Sequence, residues 1–187
     1  MTVDSIFSEI ASHMIKGIMI HDELCNYFDV LGLYGYRTCQ EYHYLEESMS
    51  FRELNKYYIE NICKLIPKTN PEFNGIIPNS VYKQNKQSFS QSEIRTSVKE
   101  LFSQWVEWET ETKELYEKSY KSLMELGEIH ISCMVIDLIC DVSKELNKAK
   151  SYLLELRAVD YNIDYIIDQQ KELYNKYKNK INKIKFI

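Results

Sequence analysis

The sequence predicts an all-α fold: an antiparallel bundle of two helical hairpins joined by a long crossover loop, with a fifth C-terminal helix. Apolar residues recur every three to four positions over long stretches, which is the period of a helix with one buried face. Only five glycines and three prolines occur in 187 residues. Folds with many short strands need more turn residues than that. We therefore expect one helical domain over residues 1–187.

The first helix is predicted over residues 4–31. Asp4 or Ser5 can cap it, because a short polar side chain accepts hydrogen bonds from the free N–H groups at a helix start. Gly32 and Gly35 follow, and glycine after a helix is typical of a tight turn. The first helix and the second are thus expected to form a hairpin.

The second helix is predicted over residues 38–66, and Pro67 ends it because proline cannot continue a helix. Residues 67–91 contain all three prolines and many Asn, Ser and Gln residues. This composition is typical of a loop, and its length suits a crossover between two hairpins.

The second hairpin begins with a helix near Ser92, turns at Gly127 and returns through a helix over residues 128–158. Asp160 can then cap a fifth, amphipathic helix over residues 160–185. The whole chain is therefore predicted as five helices with one long connection.

The net charge of −5 is mild and does not indicate a protein that coats nucleic acid. Residues 171–187 nevertheless hold six lysines against one acidic residue. Contact with nucleic acid through this lysine-rich helix is one interpretation, and a solvated helix end is the other. The lysines are Lys171, Lys176, Lys178, Lys180, Lys183 and Lys185.

The chain is expected to be cytoplasmic and not to enter a membrane. No apolar run approaches the ~18 residues that a membrane span requires, and no signal peptide opens the sequence. The five cysteines are odd in number, lack CxxC spacing and lie among apolar neighbours. We expect all five to be unpaired and reduced.

Charged residues on an inward helix face are informative, because the interior of a bundle is normally apolar. The fourth helix offers such a stripe at spacings of three and four: His130, Met134, Asp137, Asp141 and Glu145. The third helix offers a second one: Glu107, Glu111 and Glu114. With the turn at Gly127, antiparallel pairing brings Glu111 and Glu107 near Asp141 and Glu145.

The first hairpin supplies two further carboxylates. A turn near residue 35 brings Asp22 level with Glu47, with His21, His43 and Glu46 close by. One carboxylate from each of four helices is an arrangement that binds two metal ions in a bundle core. The predicted ligands are Asp22, Glu47, Glu111 and Asp141. Oxygen ligands with imidazole suit iron or manganese.

Three segments carry a resemblance to a known family: LGLYGYRTCQEYHYLEES, KYYIENICKLIPKT and WVEWETETKELYEKSYKSLMELGE. Together they resemble a poorly characterised bacterial and prophage family of ferritin-like helical proteins, over about residues 15 to 180. The resemblance implies a ferritin-like bundle. It also implies a di-iron site with Glu from two helices and a Glu-x-x-His motif from each of two others.

The sequence departs from that motif. Glu41 and Glu128 have no histidine three residues later. His43 and Glu47 share a helix face, but in the opposite order.

Other functions remain open at this point. The acidic stripes can be solvated faces, and His21 and His43 can be core histidines. A non-catalytic, prophage-encoded interaction protein that inhibits a host nucleic-acid enzyme or defence system is the main alternative. A protein partner, a homo-oligomer and an enzymatic activity are likewise left open. Glycine-rich phosphate loops, nucleophile elbows and zinc-type Cys/His sets are absent from the sequence.

Overall fold

The computed structural model describes residues 1–67, 71, 75 and 89–184, and this part of the chain contains five helices and no strand. The helices are α1 (Val3–Val30), α2 (Tyr34–Ile62), α3 (Gln91–Glu125), α4 (Ile129–Ala158) and α5 (Ile163–Ile184). The all-α prediction is therefore confirmed. Most of the predicted crossover lies outside the described residues. No described helix combines the length and apolarity needed to cross a membrane.

The helices pack as predicted in two hairpins. α1 pairs with α2, α3 pairs with α4, and α1 of the first hairpin lies on α3 of the second. The fifth helix packs against α2, so that α2 is covered on two sides. This arrangement brings the middle sections of four long helices together in the bundle interior.

Capping boxes begin α1 and α3. The capping residue lies two or three residues before the predicted one in α1 and two residues before it in α3. The Thr2 hydroxyl accepts from the Ser5 amide (3.2 Å), and the Ser5 hydroxyl accepts from the Thr2 amide (2.9 Å). Ser90, rather than Ser92, caps α3 by accepting from the amide of Glu93 (3.3 Å). These reciprocal bonds satisfy amides that a helix start otherwise leaves free.

Asn162, rather than Asp160, caps α5. The Asn162 side-chain oxygen accepts from the amides of Asp164 (2.9 Å) and Tyr165 (3.2 Å). Asp160 and Tyr161 both have left-handed backbone angles, with φ of 49° and 51°. They form the turn itself, so Asp160 stands too early to cap the helix.

The second helix begins at Tyr34, four residues before the predicted start, so Gly35 lies inside it and not in the turn. A Cβ atom at Gly35 would stand 1.7 Å from the backbone oxygen of Gln170 in α5. Glycine is therefore needed here for close approach of two helix backbones, while Gly32 (φ 72°) makes the turn. At its other end α2 stops at Ile62, where Cys63 has a left-handed φ of 58°.

Two hydrophobic clusters fill the bundle, one towards each end. The larger combines the α1–α2 turn end with α5, and its largest fully buried side chains are Phe28, Tyr36, Phe102, Trp105 and Tyr177. The smaller lies at the opposite end, and it includes Phe7, Ile10, Leu54, Tyr58 and Leu123. Between the clusters, the inward face of each of the four bundle helices becomes polar.

Gly35→Ala is expected to destabilise the protein by about 2 kcal/mol or more, because the added methyl group collides with rigid backbone and forces α5 away from α2. Chemical denaturation measures the free energy of unfolding. Tyr34→Ala is the control, since Tyr34 is 60% exposed beside the same contact. Equal stability of Gly35→Ala and the wild type would contradict the close approach.

All five cysteines carry free thiols, as predicted, and Cys63, Cys133 and Cys140 are exposed although they lie among apolar neighbours in the sequence. Burial raises the pKa of the Cys39 thiol to about 12 and also raises the pKa of Cys25. We therefore expect a thiol reagent to label three cysteines rapidly in the native protein and all five after denaturation. Mass spectrometry counts the labels, and fast labelling of Cys39 in the native protein would contradict this assignment.

Candidate metal centre

A layer of ionisable side chains crosses the bundle between the two hydrophobic clusters. Each of the four bundle helices contributes to it where the apolar stripe is interrupted. The contributing residues are His21 of α1, His43, Glu46 and Glu47 of α2, Glu109 of α3 and Glu145 of α4. They line a cavity of about 310 Å³. We refer to these six residues as the polar layer.

The first group of the polar layer is His43, Glu46 and Glu145. His43 Nδ1 lies 3.2 Å from Glu145 Oε2 and 3.5 Å from Glu46 Oε2. Each of the three residues offers one ligand atom within 4.8 Å of the others. The second ring nitrogen of His43, Nε2, is buried without a hydrogen-bond partner among the described residues. Because both carboxylates lie at Nδ1, an ion shared by the three residues would be bound through Nδ1, and Nε2 would then carry the ring proton.

Two neighbours support the carboxylates of this group. The Tyr42 hydroxyl donates to Glu46. Burial raises the pKa of Glu46, but the hydrogen bonds from His43 and Tyr42 outweigh it and leave that pKa below the usual range. The ammonium of Lys148 donates to both oxygens of Glu145, at 2.6 and 2.7 Å. The hydrogen bonds from His43 and Tyr42 thus favour the charged form of Glu46, which is the form that can bind a cation.

The second group pairs His21 with Glu109. His21 Nδ1 donates to Gln40 Oε1 (2.8 Å), which leaves Nε2 as the free acceptor of a neutral ring. Burial lowers the pKa of His21 to about 3, so the ring is neutral at neutral pH. The contact between His21 Nε2 and Glu109 Oε1, at 3.9 Å, is therefore not an ion pair. Two ligands with ~2.1 Å bonds to one ion stand at most ~4.2 Å apart. The two atoms are thus close enough to share an ion.

Among the described residues, no lysine or arginine pairs with Glu109 or Glu47. Burial is the main cause that raises the pKa of Glu109 to about 8, and the negative charge of Glu47 adds to it. A hydrogen bond from the indole N–H of Trp105 (2.9 Å) lowers the pKa but does not offset these effects. Burial, and then the charges of Glu46 and Glu145, raises the pKa of Glu47 to about 7. The Glu47 carboxylate lies against Gly17, where a Cβ atom would stand 2.7 Å from Oε1. These two carboxylates favour either a proton or a bound cation.

The four ligands predicted from the sequence do not all reach this layer. Glu47 and Asp141 line the cavity, whereas Asp22 and Glu111 are exposed and do not. Asp22 accepts a hydrogen bond from Asn26 (3.3 Å). Asp141 lies at the rim, where its 72% exposed side chain pairs with Lys144 (2.7 Å).

The two acidic stripes also face differently from the prediction. On α3, Glu107, Glu111 and Glu114 are exposed, and Glu109 is the buried carboxylate. On α4, His130, Asp137 and Asp141 are exposed, Met134 is half-buried, and Glu145 alone of that stripe's carboxylates is half-buried. The inward position of Glu109 can be predicted from helical spacing, because Glu109 lies four residues after the buried Trp105 and seven before the buried Tyr116.

The lysines of α5 mostly contact groups of the chain itself. Lys176 donates to the Tyr152 hydroxyl (2.9 Å), Lys178 to the Tyr174 hydroxyl (3.0 Å) and Lys171 to Asp168 (3.0 Å). The Lys180 ammonium lies 4.6 Å from the centre of the Tyr42 ring. Nucleic-acid binding by this helix stays a prediction from the sequence, and Lys185 lies outside the described residues.

The fold is that of the ferritins. An Archaeoglobus fulgidus ferritin engineered into a closed form has a TM-score of 0.75 and 13% identity over 93% of this chain and 96% of that one. The open-pore ferritin of the same archaeon also has a TM-score of 0.75 and 13% identity, over 91% of this chain and 94% of that one.

A third solved structure is a variant of PmFTN soaked in iron. It has a TM-score of 0.72 and 10% identity, over 89% of this chain and 96% of that one. No family model and no curated protein matches the sequence. The likeness to solved structures at this level of identity defines the ferritin-like fold.

Glu109→Gln is expected to stabilise the metal-free protein more at pH 8 than at pH 5. The folded wild type keeps the Glu109 proton up to about pH 8, whereas the unfolded chain releases it near 4.5. Folding must therefore take up a proton in this window, and the free energy of unfolding falls as the pH rises. The variant removes that dependence, so its advantage should grow by about 3 kcal/mol.

Urea denaturation at both pH values, with a chelator present, measures this difference. Glu111→Gln is the matched control, because Glu111 is an exposed carboxylate two residues away. A Glu109→Gln advantage that is constant between pH 5 and pH 8 would show that Glu109 is not protonated in the fold.

Proposed function

We propose that this protein binds iron or manganese in its four-helix interior, with His43, Glu46 and Glu145 as the principal ligands. The observation that carries the proposal is the convergence of these three side chains, from α2 and α4, with carboxylate oxygens 3.2 and 3.5 Å from His43 Nδ1. Two carboxylates and one imidazole form a donor set that suits a divalent transition metal.

A second position for a metal is proposed at His21, Glu109 and Glu47. The hydrogen bond from His21 Nδ1 to Gln40 orients the ring so that its lone pair points towards Glu109. The ring centres of His21 and His43 are 5.7 Å apart, so the two groups belong to one centre. Metals that share carboxylates in such centres lie ~3.5–4 Å apart.

Charge balance supports the same conclusion. The polar layer contains four carboxylates, and Lys148 is the basic side chain that pairs directly with one of them. Buried carboxylates without a counter-charge are costly, which is why Glu47 and Glu109 have raised pKa values in the metal-free chain. A divalent ion, when bound, supplies the missing positive charge and a redox-active atom beside the buried ring of Trp105.

The choice of iron or manganese rests on the ligands and on the fold. Oxygen-rich sites with one or two imidazoles suit these ions, whereas sites rich in thiolate suit zinc or copper(I). The buried thiol of Cys39 is not part of the cavity lining. Iron is favoured further because one of the structural neighbours was soaked in iron.

Metal binding should raise the melting temperature of the wild type by about 5 °C or more when free metal exceeds the dissociation constant 100-fold. Glu145→Gln and His43→Gln should abolish the gain, because each removes a ligand while preserving the approximate side-chain volume. The measurements are thermal melts with Mn²⁺, or with Fe²⁺ under anaerobic conditions, and elemental analysis after gel filtration.

Asp22→Asn and Glu111→Gln are the controls, because both carboxylates are exposed outside the cavity. They should retain the full metal-induced gain. The proposal fails if the wild type neither retains metal nor gains stability. The ligand assignment fails if the two control variants lose binding while Glu145→Gln and His43→Gln keep it.

A further inference from the structure

Lys148 occupies a position on α4 that bears directly on the polar layer. It lies three residues after Glu145, and its ammonium donates to both oxygens of that carboxylate, at 2.6 and 2.7 Å. The side chains of the pair are 22% and 24% exposed. A charge-assisted hydrogen bond to each oxygen, shielded from most solvent, is among the stronger polar contacts in proteins.

The same carboxylate faces the other proposed ligands. Glu145 Oε2 lies 3.2 Å from His43 Nδ1, so it is held between an imidazole on one side and the ammonium on the other. Lys148 thus donates to both oxygens of Glu145, whereas a metal ion at His43 and Glu46 requires one of them.

Neighbouring groups keep the Lys148 side of the layer positive. The Lys148 ammonium lies 6.0 Å from the centre of the Tyr177 ring. The ammonium groups of Lys176 and Lys180 lie 5.2 and 5.3 Å from the same ring centre. Three cations around one aromatic ring repel one another, and the Glu145 carboxylate lowers the energy of this arrangement. The repulsion from Lys176 and Lys180 therefore favours the contact between the Lys148 ammonium and the Glu145 carboxylate.

We propose that Lys148 is a built-in competitor for the metal: its ammonium takes the ligand face of Glu145 in the metal-free protein, and an incoming divalent cation must displace it. This inference rests on the proposed metal-binding function and adds a means of regulating it. The competition lowers the affinity of the centre, because part of the binding free energy is used to break the contact with Lys148. It also favours release of the metal, since the ammonium can return to the carboxylate.

A second lysine on the same helix provides a matched comparison. Lys144 pairs with Asp141 at the same three-residue spacing and at 2.7 Å, but these side chains are 73% and 72% exposed. Solvent screens such a pair, and Asp141 is not one of the converging ligands. Removing Lys144 changes the total charge as removing Lys148 does, without freeing a proposed ligand.

The test is Mn²⁺ titration of the full chain, by calorimetry or by the loss of the free-ion electron paramagnetic resonance signal. The wild type is compared with Lys148→Met, Lys148→Arg and Lys144→Met. Lys148→Met should bind Mn²⁺ about tenfold more tightly, whereas Lys148→Arg should bind no more tightly than the wild type. Lys144→Met should stay within about twofold of the wild type.

A purely structural role for Lys148 predicts a different result. Lys148→Met would then melt at a lower temperature without metal, and its affinity for Mn²⁺ would be unchanged or weaker. That outcome overturns the inference but leaves the proposed function intact. A gain in Mn²⁺ affinity in Lys144→Met equal to that in Lys148→Met has the same consequence. If Lys148→Met does not fold, Lys148→Gln is read by the same criteria. Absence of Mn²⁺ binding in the wild type and in every variant overturns the proposed function itself.

Discussion

The structure depends on one constraint: four carboxylates and two imidazoles are held inside a helical bundle, in a layer between two hydrophobic clusters. The clusters hold the four helices in a register that brings these side chains together. The layer in turn costs free energy, because burial penalises every charge that lacks a partner. Protons on Glu47 and Glu109, the Lys148 ammonium and the proposed metal ion would each reduce this electrostatic cost.

The fifth helix supports the layer from outside. Its backbone approaches α2 at Gly35, and the ring of Tyr177 packs on Tyr42 (5.2 Å between ring centres) and on His43 (5.8 Å). Tyr42 in turn donates to Glu46. The position of α5 therefore affects the orientation of two proposed ligands on α2. The lysines that the sequence assigns to a solvated or phosphate-binding face partly cover these aromatic rings.

The ligand set predicted from the sequence stays a prediction, and the structure shows where its residues lie along the bundle and around the helices. Hairpin pairing brought His21, His43, Glu46 and Glu47 to one level, and the structure places all four in the polar layer. Adjacent residues on a helix point about 100° apart, so choosing Asp22 instead of His21 selects the surface. Glu109 and Glu111 are two residues apart and so point about 200° apart, and Glu109 is the buried one. The buried face of α3 follows the aromatic residues Trp105, Trp108 and Tyr116 and not the spacing of the charged ones.

The amino-acid pattern is enough to predict the five helices, their pairing into hairpins and the level at which polar residues interrupt the core. These features follow from local periodicity and from where glycine and proline occur, which are properties of nearby residues. Only the tertiary structure decided which carboxylates are buried, that Lys148 holds Glu145, and that Gly35 serves a helix contact and not a turn. Each of these features depends on the rotation and close approach of helices that are distant in sequence. The charge pattern alone does not specify which carboxylates are buried, because an acidic side chain is compatible with either helix face until its neighbours are packed.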